Sequence, residues 1–265
     1  SKFLIRKFVR LMNKVFKKIS VVGLGYVGLP LSLQFARSGV SVLGLDLDPS
    51  KVEAINIGRT YLKHFSSESI AEQVNTGRFE ATIDPSRMSE VDAILICVPT
   101  PLDDHRDPDL SFVLDTARTV APHLRKGVLV ALESTTYPGT TEDELRAVLE
   151  EGSGFKAGLD FHLAYSPERE DPGRADFTTQ SIPKLVSGHT SSCLEIGMAL
   201  YGQIIDTPVE TSSLKIAEMA KILENVQRAV NIGLVNELKI AADRMGIDIW
   251  EVIQAASTKP FGFKA

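Results

Sequence analysis

Short runs of apolar residues alternate with amphipathic stretches along the chain from Ile19 onward. Each run has the length of a buried strand, and the stretches between the runs carry apolar residues at helical spacing. The predicted strands are 19–22, 40–45, 93–98, 127–133, 163–166 and 184–187, and the predicted helices are 30–38, 49–57, 110–123, 141–150 and 191–201. This repeated strand–helix order predicts an α/β fold with a doubly wound, mostly parallel sheet.

The pattern changes after about residue 208, where a strand-free stretch with helical spacing runs from 212 to 245. Gly246 can terminate this helix, and residues 248–256 form another short one. A helix this long usually crosses between domains or packs against a partner subunit, so we expect a homodimer through it. The predicted domains are a basic N-terminal extension (1–17), a sheet domain (18–208) and a helical central domain for dimerisation (209–265).

The composition argues against several classes of protein. With 43% hydrophobic and 24% charged residues, the chain has the balance of an ordinary soluble globular protein. The net charge of −5 argues against a nucleic-acid partner, which would favour a basic face. The two cysteines, Cys97 and Cys193, form neither a disulfide framework nor a zinc-site spacing, so no metal site is predicted and a cytoplasmic location is expected.

The first 18 residues differ from this average, because they hold seven Lys or Arg and no acidic residue, interleaved with apolar residues. A basic amphipathic helix on an anionic membrane surface is one interpretation. We favour a solvated arm, with Met12 as a start and residues 1–11 as an upstream extension. Membrane association is therefore not expected.

A glycine-rich loop, GLGYVG at 23–28, directly follows the first strand and directly precedes a helix. This context turns the G-x-G-x-x-G pattern into the fingerprint of a Rossmann-type dinucleotide-binding domain. Gly23 permits the tight turn, Gly25 lets the backbone approach a pyrophosphate, and Gly28 lets the helix pack closely on the sheet. The predicted cofactor-binding residues of this loop are Gly23, Gly25, Tyr26, Val27 and Gly28.

Asp46 ends the second strand, 21 residues after Gly25, at the spacing of a carboxylate that binds the adenosine ribose. A carboxylate there favours NAD over NADP, because it would repel a 2′-phosphate. Lys51 lies five residues after Asp46 and is near enough along the chain to reach the same ribose. A surface acid for Asp46 and a solvated helix lysine for Lys51 are the alternative interpretations.

Four further strings stand beside GLGYVGLP at 23–30: VPTP at 98–101, ESTTYPGT at 133–140, YSPER at 165–169 and KILEN at 221–225. In this order they resemble the UDP-glucose/GDP-mannose dehydrogenase family over residues 17–265. Segments 101–111 and 166–173 look most like its UDP-N-acetylglucosamine 6-dehydrogenase branch. The resemblance implies NAD-dependent oxidation of C6 of a UDP-sugar from alcohol to carboxylate, in polysaccharide biosynthesis. A base, an oxyanion donor and a nucleophile that holds the aldehyde are then required.

The resemblance also assigns roles to residues outside the glycine loop. Lys221 and Asn225 share one helix face and would be catalytic or oxyanion-stabilising, with Arg228 as a substrate contact one turn further. A solvated polar stripe has the same spacing, and the residues alone favour that interpretation, because such stripes are common on helices. Thr135 would touch the cofactor and the catalytic water, and Thr100 would touch the cofactor.

Glu168 would orient or activate the hydrolytic water, and Arg169 would meet the sugar or its phosphates; a loop ion pair is the alternative. Pro172 stands where the broader family often has a second Glu. The family's nucleophilic cysteine lies in a Gly-Gly-His-Cys-type motif that is absent here, and neither Cys97 nor Cys193 is assigned its role. We therefore expect a fragment, inactive by itself, of a protein that continues past Ala265 into a UDP-binding domain.

Three other functions stay open on sequence alone. The sugar of the substrate can instead be that of UDP-glucose or UDP-N-acetylmannosamine. A different enzyme of the 6-phosphogluconate or 3-hydroxyacyl-CoA dehydrogenase-like superfamily would share the Rossmann domain and the helical second domain. A non-catalytic, NAD-binding regulatory dimer is the alternative outside the enzymes, and the missing cysteine motif is its support.

Overall fold

Eight strands form one sheet in the order β3-β2-β1-β4-β5-β6-β7-β8. The computed structural model describes residues 16–63, 65–169 and 180–260; the basic arm before Phe16 and the Pro172 position lie outside these residues. The strands are β1 (Lys18–Val22), β2 (Ser41–Leu45), β3 (Phe79–Thr82), β4 (Ala93–Ile96), β5 (Leu129–Leu132), β6 (His162–Tyr165), β7 (Lys184–Gly188) and β8 (Pro208–Glu210). All neighbouring pairs in this sheet are parallel except β6 and β7, which confirms the predicted mostly parallel sheet.

Helices cover both faces of the sheet, as a doubly wound fold requires. They are α1 (Gly28–Arg37), α2 (Pro49–Asn56), α3 (Ser67–Asn75), α4 (Ser111–Val120), α5 (Arg146–Ser153), α6 (Ser191–Tyr201), α7 (Leu214–Met245) and α8 (Ile249–Ser257). Apolar side chains of α1, α2, α3 and α6 form a buried cluster with one face of the sheet. Those of α4, α5 and the first turn of α7 form a second cluster with the other face.

Strand order reverses at β1, which pairs with β2 on one side and with β4 on the other. The chain leaves β1 toward β2 and leaves β4 toward β5, which lie in opposite directions. A crevice therefore opens at the carboxyl ends of β1 and β4. In open parallel sheets this switch point is where ligands bind.

Three elements were missed by the hydrophobic pattern: α3, β3 and β8. Strand β3 has four residues and β8 has three, at or near the edges of the sheet, so neither carries a long apolar run. Helix α3 is nine residues long and buries only Ile70 and Gln73, although Ser66 accepts a hydrogen bond from the Ser69 amide at its start. Short, half-exposed elements lack the periodic signal on which sequence interpretation depends.

The segment predicted as one helix over 141–150 begins as a π-helix at Thr140–Leu145 and becomes α-helical only at Arg146. Glu218, from the start of α7, is fully buried against this beginning. Its carboxylate accepts hydrogen bonds from the Gly139 amide at 2.7 Å, the Thr141 amide at 2.9 Å and the Thr141 hydroxyl at 2.7 Å. A side chain 77 residues away therefore supplies the cap that the local sequence lacks.

By its internal contacts the chain divides into two units between Lys221 and Ile222, within helix α7. The first unit holds the sheet and the helices on both of its faces. In the second unit, α7 continues to Met245 and α8 follows after a turn at Gly246, which has a φ of 68°. Among the described residues, none of the helices has the length and apolar character needed to cross a bilayer.

The turn between β1 and α1 is closely packed at two of its three glycines. Gly23 has a φ of 90°, a conformation that side chains of L-residues rarely adopt. A Cβ on Gly28 would lie 1.9 Å from the Gly23 carbonyl oxygen, whereas a Cβ on Gly25 would meet no atom within 4 Å. Gly28 is therefore required by packing, and Gly25 is not.

We expect Gly28→Ala to lower the free energy of unfolding by at least about 3 kcal/mol, because the added methyl group forces the turn apart. Gly25→Ala is the matched control, and its stability should stay within about 1 kcal/mol of the wild type, since the new methyl group projects into open space. Chemical denaturation of both variants measures the difference. An equal loss in the two variants would contradict this account of the turn.

Candidate functional site

A cleft of about 930 Å³ lies at the carboxyl ends of the parallel strands of the first unit. Its walls come from the β1–α1 turn, the residues after β2, β4, β5 and β6, one side of α4, and Lys221 of α7. Cys97, Val98 and Glu133 also line it, so the cleft reaches the residues directly after β4 and β5. The cleft thus occupies the switch point of the sheet.

Of the five loop residues predicted to bind a cofactor, Gly23, Gly25, Tyr26 and Val27 line the cleft. Gly28 lies behind them as the first residue of α1, where its packing shapes the turn. No side chain caps the first turn of α1, so its amide groups and the positive end of the helix dipole can face an anion. This geometry suits a pyrophosphate group.

Asp46 lies beside the glycine loop and is fixed there by three contacts. Its Oδ2 accepts a hydrogen bond from the Leu24 amide at 2.8 Å, and its Oδ1 accepts one from the Asp48 amide at 3.0 Å. Lys51 Nζ lies 3.3 Å from Oδ2, so the two predicted residues meet as an ion pair. A carboxylate held at the end of β2 in this way can accept hydrogen bonds from a ribose diol.

Tyr61 was not predicted, yet it lines the same part of the cleft. Its hydroxyl donates to the Leu24 carbonyl oxygen. Burial, with the Asp46 and Asp48 carboxylates, raises the pKa of Tyr61, so the phenol stays a donor. The residue lies between α2 and α3, in a segment without a helical or strand pattern, and only the fold brings it beside the glycine loop.

Thr100 and Thr135 come together although 35 residues separate them. The Thr100 hydroxyl donates to the Thr135 carbonyl oxygen at 2.7 Å, and the Ser134 hydroxyl donates to the Val98 carbonyl oxygen at 2.6 Å. These two bonds join the segments that follow β4 and β5 and hold both threonines at the cleft wall. The pairing agrees with a shared role at one site.

Glu168 and Lys221 meet at the far end of the cleft, and both line it. Lys221 Nζ donates a hydrogen bond to the Glu168 main-chain oxygen. The Arg169 amide donates to Glu168 Oε1 at 2.6 Å, while the Arg169 guanidinium donates to the Pro183 carbonyl oxygen at 2.8 Å. In the described structure the Arg169 side chain is thus engaged with the main chain before β7.

Asn225 and Arg228 lie in the second unit, on the continuation of α7. Asn225 is half-buried and Arg228 is exposed. Their predicted roles in oxyanion stabilisation and substrate contact remain predictions.

Both cysteines are buried. Cys97 falls within the strand predicted over 93–98, but β4 ends at Ile96, so Cys97 comes just after the strand and lines the cleft. Burial raises the pKa of the Cys97 thiol, and the Glu133 carboxylate reinforces the shift, so the thiol is protonated and unsuited to nucleophilic attack. Cys193 is on α6, which packs on the sheet, and its side chain is fully buried.

Sequence interpretation gave no role to a buried polar group behind Glu168. Glu133, Lys184 and Tyr201 form it, and each is at most 4% exposed. Glu133 directly follows the apolar strand β5, and Lys184 is the first residue of β7. A charged residue next to an apolar strand was therefore the only sign in the sequence that these side chains are buried. Glu133 and Lys184 are 51 residues apart in the chain, and only the folded sheet brings them into contact.

The cleft therefore has two chemically different ends that fit the two ends of a dinucleotide. The open backbone at Gly25 and the fixed Asp46 carboxylate suit a pyrophosphate and a ribose, and the apolar wall of α4 at Phe112 and Val120 suits a flat base. At the other end, Glu168 and Lys221 place a carboxylate and an ammonium group at the cleft wall. Such groups can bind an alcohol and take part in the transfer of its proton. NAD, when bound, would supply the oxidant between them.

Comparison with known proteins agrees with this description. The model of the UDP-glucose/GDP-mannose dehydrogenase family, NAD binding domain, matches residues 17–205, and that of the same family's central domain matches residues 215–265. Together the two matches cover most of the chain.

Similar proteins extend over nearly the whole chain. Protein CapL of Staphylococcus aureus is 41% identical over 246 residues, which are 92% of this chain and 56% of that protein. UDP-N-acetyl-D-glucosamine 6-dehydrogenase of Pseudomonas aeruginosa is 39% identical over 243 residues, which are 91% of this chain and 57% of that protein. The solved structure of a UDP-D-ManNAc dehydrogenase from Pyrococcus horikoshii matches with a TM-score of 0.87 at 34% identity, covering 92% of this chain and 58% of that one.

The chain spans a little over half the length of these relatives. Within that span the glycine loop, the carboxylate after β2 and the strand order stand together in one matched domain. The chain belongs to the UDP-glucose/GDP-mannose dehydrogenase family, and NAD is the cofactor of its N-terminal domain.

Proposed function

We propose that this chain carries the cofactor half of an enzyme that oxidises C6 of a UDP-sugar from alcohol to carboxylate in two successive steps, with UDP-N-acetylglucosamine as substrate. The observation that supports it is the cleft itself, which joins the Gly25 and Asp46 end to the Glu168 and Lys221 end within about 930 Å³. The similarity to nucleotide-sugar dehydrogenases supplies the class of substrate.

Each group of proposed cofactor residues binds a different part of the dinucleotide. The amides of the Gly25-Tyr26-Val27 segment bind the pyrophosphate, and Asp46 accepts hydrogen bonds from the adenosine ribose. Lys51 holds Asp46 in place through its ion pair. Thr100 and Thr135, already joined by a hydrogen bond, contact the nicotinamide end.

The proposed chemical residues lie at the other end of the cleft. Lys221 donates a hydrogen bond to the oxygen at C6 while the alcohol proton passes to a water molecule, because an ammonium group stabilises a developing alkoxide. Glu168 orients or activates the water that releases the acid, and Thr135 contacts that water. Asn225, Arg228 and Arg169 complete the substrate contacts in this proposal.

The choice of sugar follows from the relatives. The Pseudomonas aeruginosa protein is named a UDP-N-acetyl-D-glucosamine 6-dehydrogenase at 39% identity, and the Pyrococcus horikoshii protein a UDP-N-acetyl-D-mannosamine dehydrogenase at 35%. Both substrates carry an N-acetyl group, so UDP-N-acetylmannosamine is the closest competitor, and UDP-glucose follows.

A homodimer through α7 and a cytoplasmic location also remain proposals. Apolar side chains along the helix support the first, since Leu223, Val230 and Leu234 are 63%, 63% and 56% exposed. Exposed apolar rows of this kind usually mark a surface that another chain covers. A regulatory NAD-binding dimer without catalysis would use the same helix, and turnover separates the two functions.

Asp46→Ala should weaken NAD⁺ binding by about 10- to 100-fold, because it removes a charged hydrogen-bond acceptor from the ribose. NADP⁺ should bind the wild type more weakly than NAD⁺, and the gap should narrow in the variant, which no longer repels a 2′-phosphate. Isothermal titration calorimetry with both dinucleotides measures these affinities.

Asp104→Ala is the control, since Asp104 is an exposed loop carboxylate and its loss should leave both affinities unchanged. Gly25→Ala adds a second arm, because it should keep its stability and still lose NAD⁺ binding. Unchanged NAD⁺ affinity in Asp46→Ala would show that this carboxylate does not hold the ribose.

Turnover is measured on the chain extended to the length of its relatives, because it covers only a little over half of them. UDP-N-acetylglucosamine should give the highest kcat/KM among the three UDP-sugars, with two NADH formed per sugar. Lys221→Met should lower kcat by about 100-fold or more, since a positioned donor to a developing oxyanion contributes this much. Lys215→Met, an exposed lysine on the same helix, should retain activity.

One NADH per sugar, or a higher kcat/KM with UDP-N-acetylmannosamine, would overturn the stated reaction or substrate. NAD⁺ binding without any turnover of the extended protein would favour the regulatory dimer.

A further inference from the structure

A group of buried charges lies directly behind the cleft, between β5, β7 and α6. Glu133 at the carboxyl end of β5 is 1% exposed, Lys184 at the start of β7 is 4% exposed, and Tyr201 at the end of α6 is fully buried. Charged side chains are rarely buried to this extent unless they are paired. The burial of these three residues therefore calls for a role other than that of solvated surface side chains.

Lys184 is the centre of this group. Its ammonium donates to Glu133 Oε2 at 2.7 Å and to the Pro167 carbonyl oxygen at 3.2 Å, and it lies 3.6 Å from Glu168 Oε2. The Tyr201 hydroxyl donates to the other oxygen of Glu133, which holds that carboxylate from the opposite side. The ammonium thus touches both the carboxylate of Glu168 and the main chain just before it.

Stability alone does not account for this arrangement. Removing ions from water costs several kcal/mol for each, and apolar residues of similar volume often replace a buried ion pair without loss of stability. Two carboxylates share the single ammonium group in this cluster. Both carboxylates border the cleft, but Glu133 is 1% exposed whereas the Glu168 side chain is 19% exposed. The cluster therefore leaves the Glu168 carboxylate accessible from the cleft and buries that of Glu133.

We propose that Lys184, anchored by Glu133 and Tyr201, is a positioning residue that keeps the Glu168 carboxylate ionised and directed into the cleft. An opposite charge within about 4 Å favours the ionised form of a carboxyl group. The hydrogen bond from Lys184 to Pro167 fixes the main chain at the same point. The role of Glu168 in catalysis rests on the proposed function, whereas its contact with Lys184 does not.

Four titratable side chains from different elements face Lys184. Glu133 comes from β5, Glu168 from the segment after β6, Tyr201 from α6 and Cys97 from the segment after β4. Burial would lower the pKa of Lys184, but the Glu133 and Glu168 carboxylates outweigh it and raise the pKa above its usual value. Lys184 therefore keeps its charge throughout the range in which a carboxylate titrates.

Lys221 holds the same residue from the cleft side, because its ammonium donates to the Glu168 main-chain oxygen. Glu168 is thus bracketed by two lysines, one at the side chain and one at the main chain. Loss of Lys184 should change the charge state of the Glu168 carboxyl and leave the Lys221 contact in place.

The test is a pH titration of the Glu168 carboxyl by ¹³C NMR on the glutamate-labelled chain, with the signal assigned by its absence in Glu168→Gln. In Lys184→Met/Glu133→Gln, which removes both charges of the pair, the midpoint should rise by about one pH unit or more. The double change avoids leaving Glu133 buried and uncompensated.

Glu133→Gln alone is the second variant, and its Glu168 titration midpoint tests the proposal if the double variant does not fold. It leaves Lys184 to pair with Glu168 only, so the midpoint should fall. An unchanged midpoint in a folded double variant, or a rise in Glu133→Gln, would overturn the proposal.

NAD⁺ affinity separates this inference from the proposed function. Only the wild type is used for this comparison, because Glu133 lines the cleft and its replacement changes the wall that faces the dinucleotide. A wild type without NAD⁺ affinity would count against the proposed function while the titration still tests Lys184.

Discussion

Parallel pairing of β1 with both β2 and β4 determines where everything else in the cleft lies. Because parallel strands end at one edge of a sheet, the residues that follow β1, β2, β4, β5 and β6 all arrive there. The glycine loop, Asp46, Thr100, Thr135 and Glu168 are those residues. Their convergence follows from the topology, and the local sequence has only to supply the right side chain after each strand.

A second constraint comes from the long-range contacts that set the far end of the cleft. Glu218 joins the start of α7 to the amides of Gly139 and Thr141, and Lys221 follows it three residues later on the same helix. Lys184 reaches Glu168 from the opposite side through a buried ion pair with Glu133. The two lysines therefore depend on packing of α7 and β7 against the segments after β5 and β6.

This difference explains how far the sequence could predict the molecule. Gly25 and Asp46 could be singled out as candidates, and the structure places both at the cleft, because their predicted role depends on spacing within one strand–turn–helix–strand unit. The ion pair of Glu133 and Lys184, the cap supplied by Glu218 and the position of Tyr61 depend on residues far apart in the chain, and a single sequence does not show such pairings. Strands β3 and β8 were missed for a local reason, since they lie at the two edges of the sheet, are partly exposed and carry no continuous apolar run.

We expect one cleft to hold the dinucleotide in a single orientation, with the ribose at Asp46 and the nicotinamide near Glu168. A crystal structure of the chain with NAD⁺ would show this orientation. The adenosine ribose hydroxyls should lie within about 3 Å of the Asp46 carboxylate, the pyrophosphate against Gly25, and the nicotinamide beside Thr135. A dinucleotide bound in the reverse orientation, or outside this cleft, would contradict it.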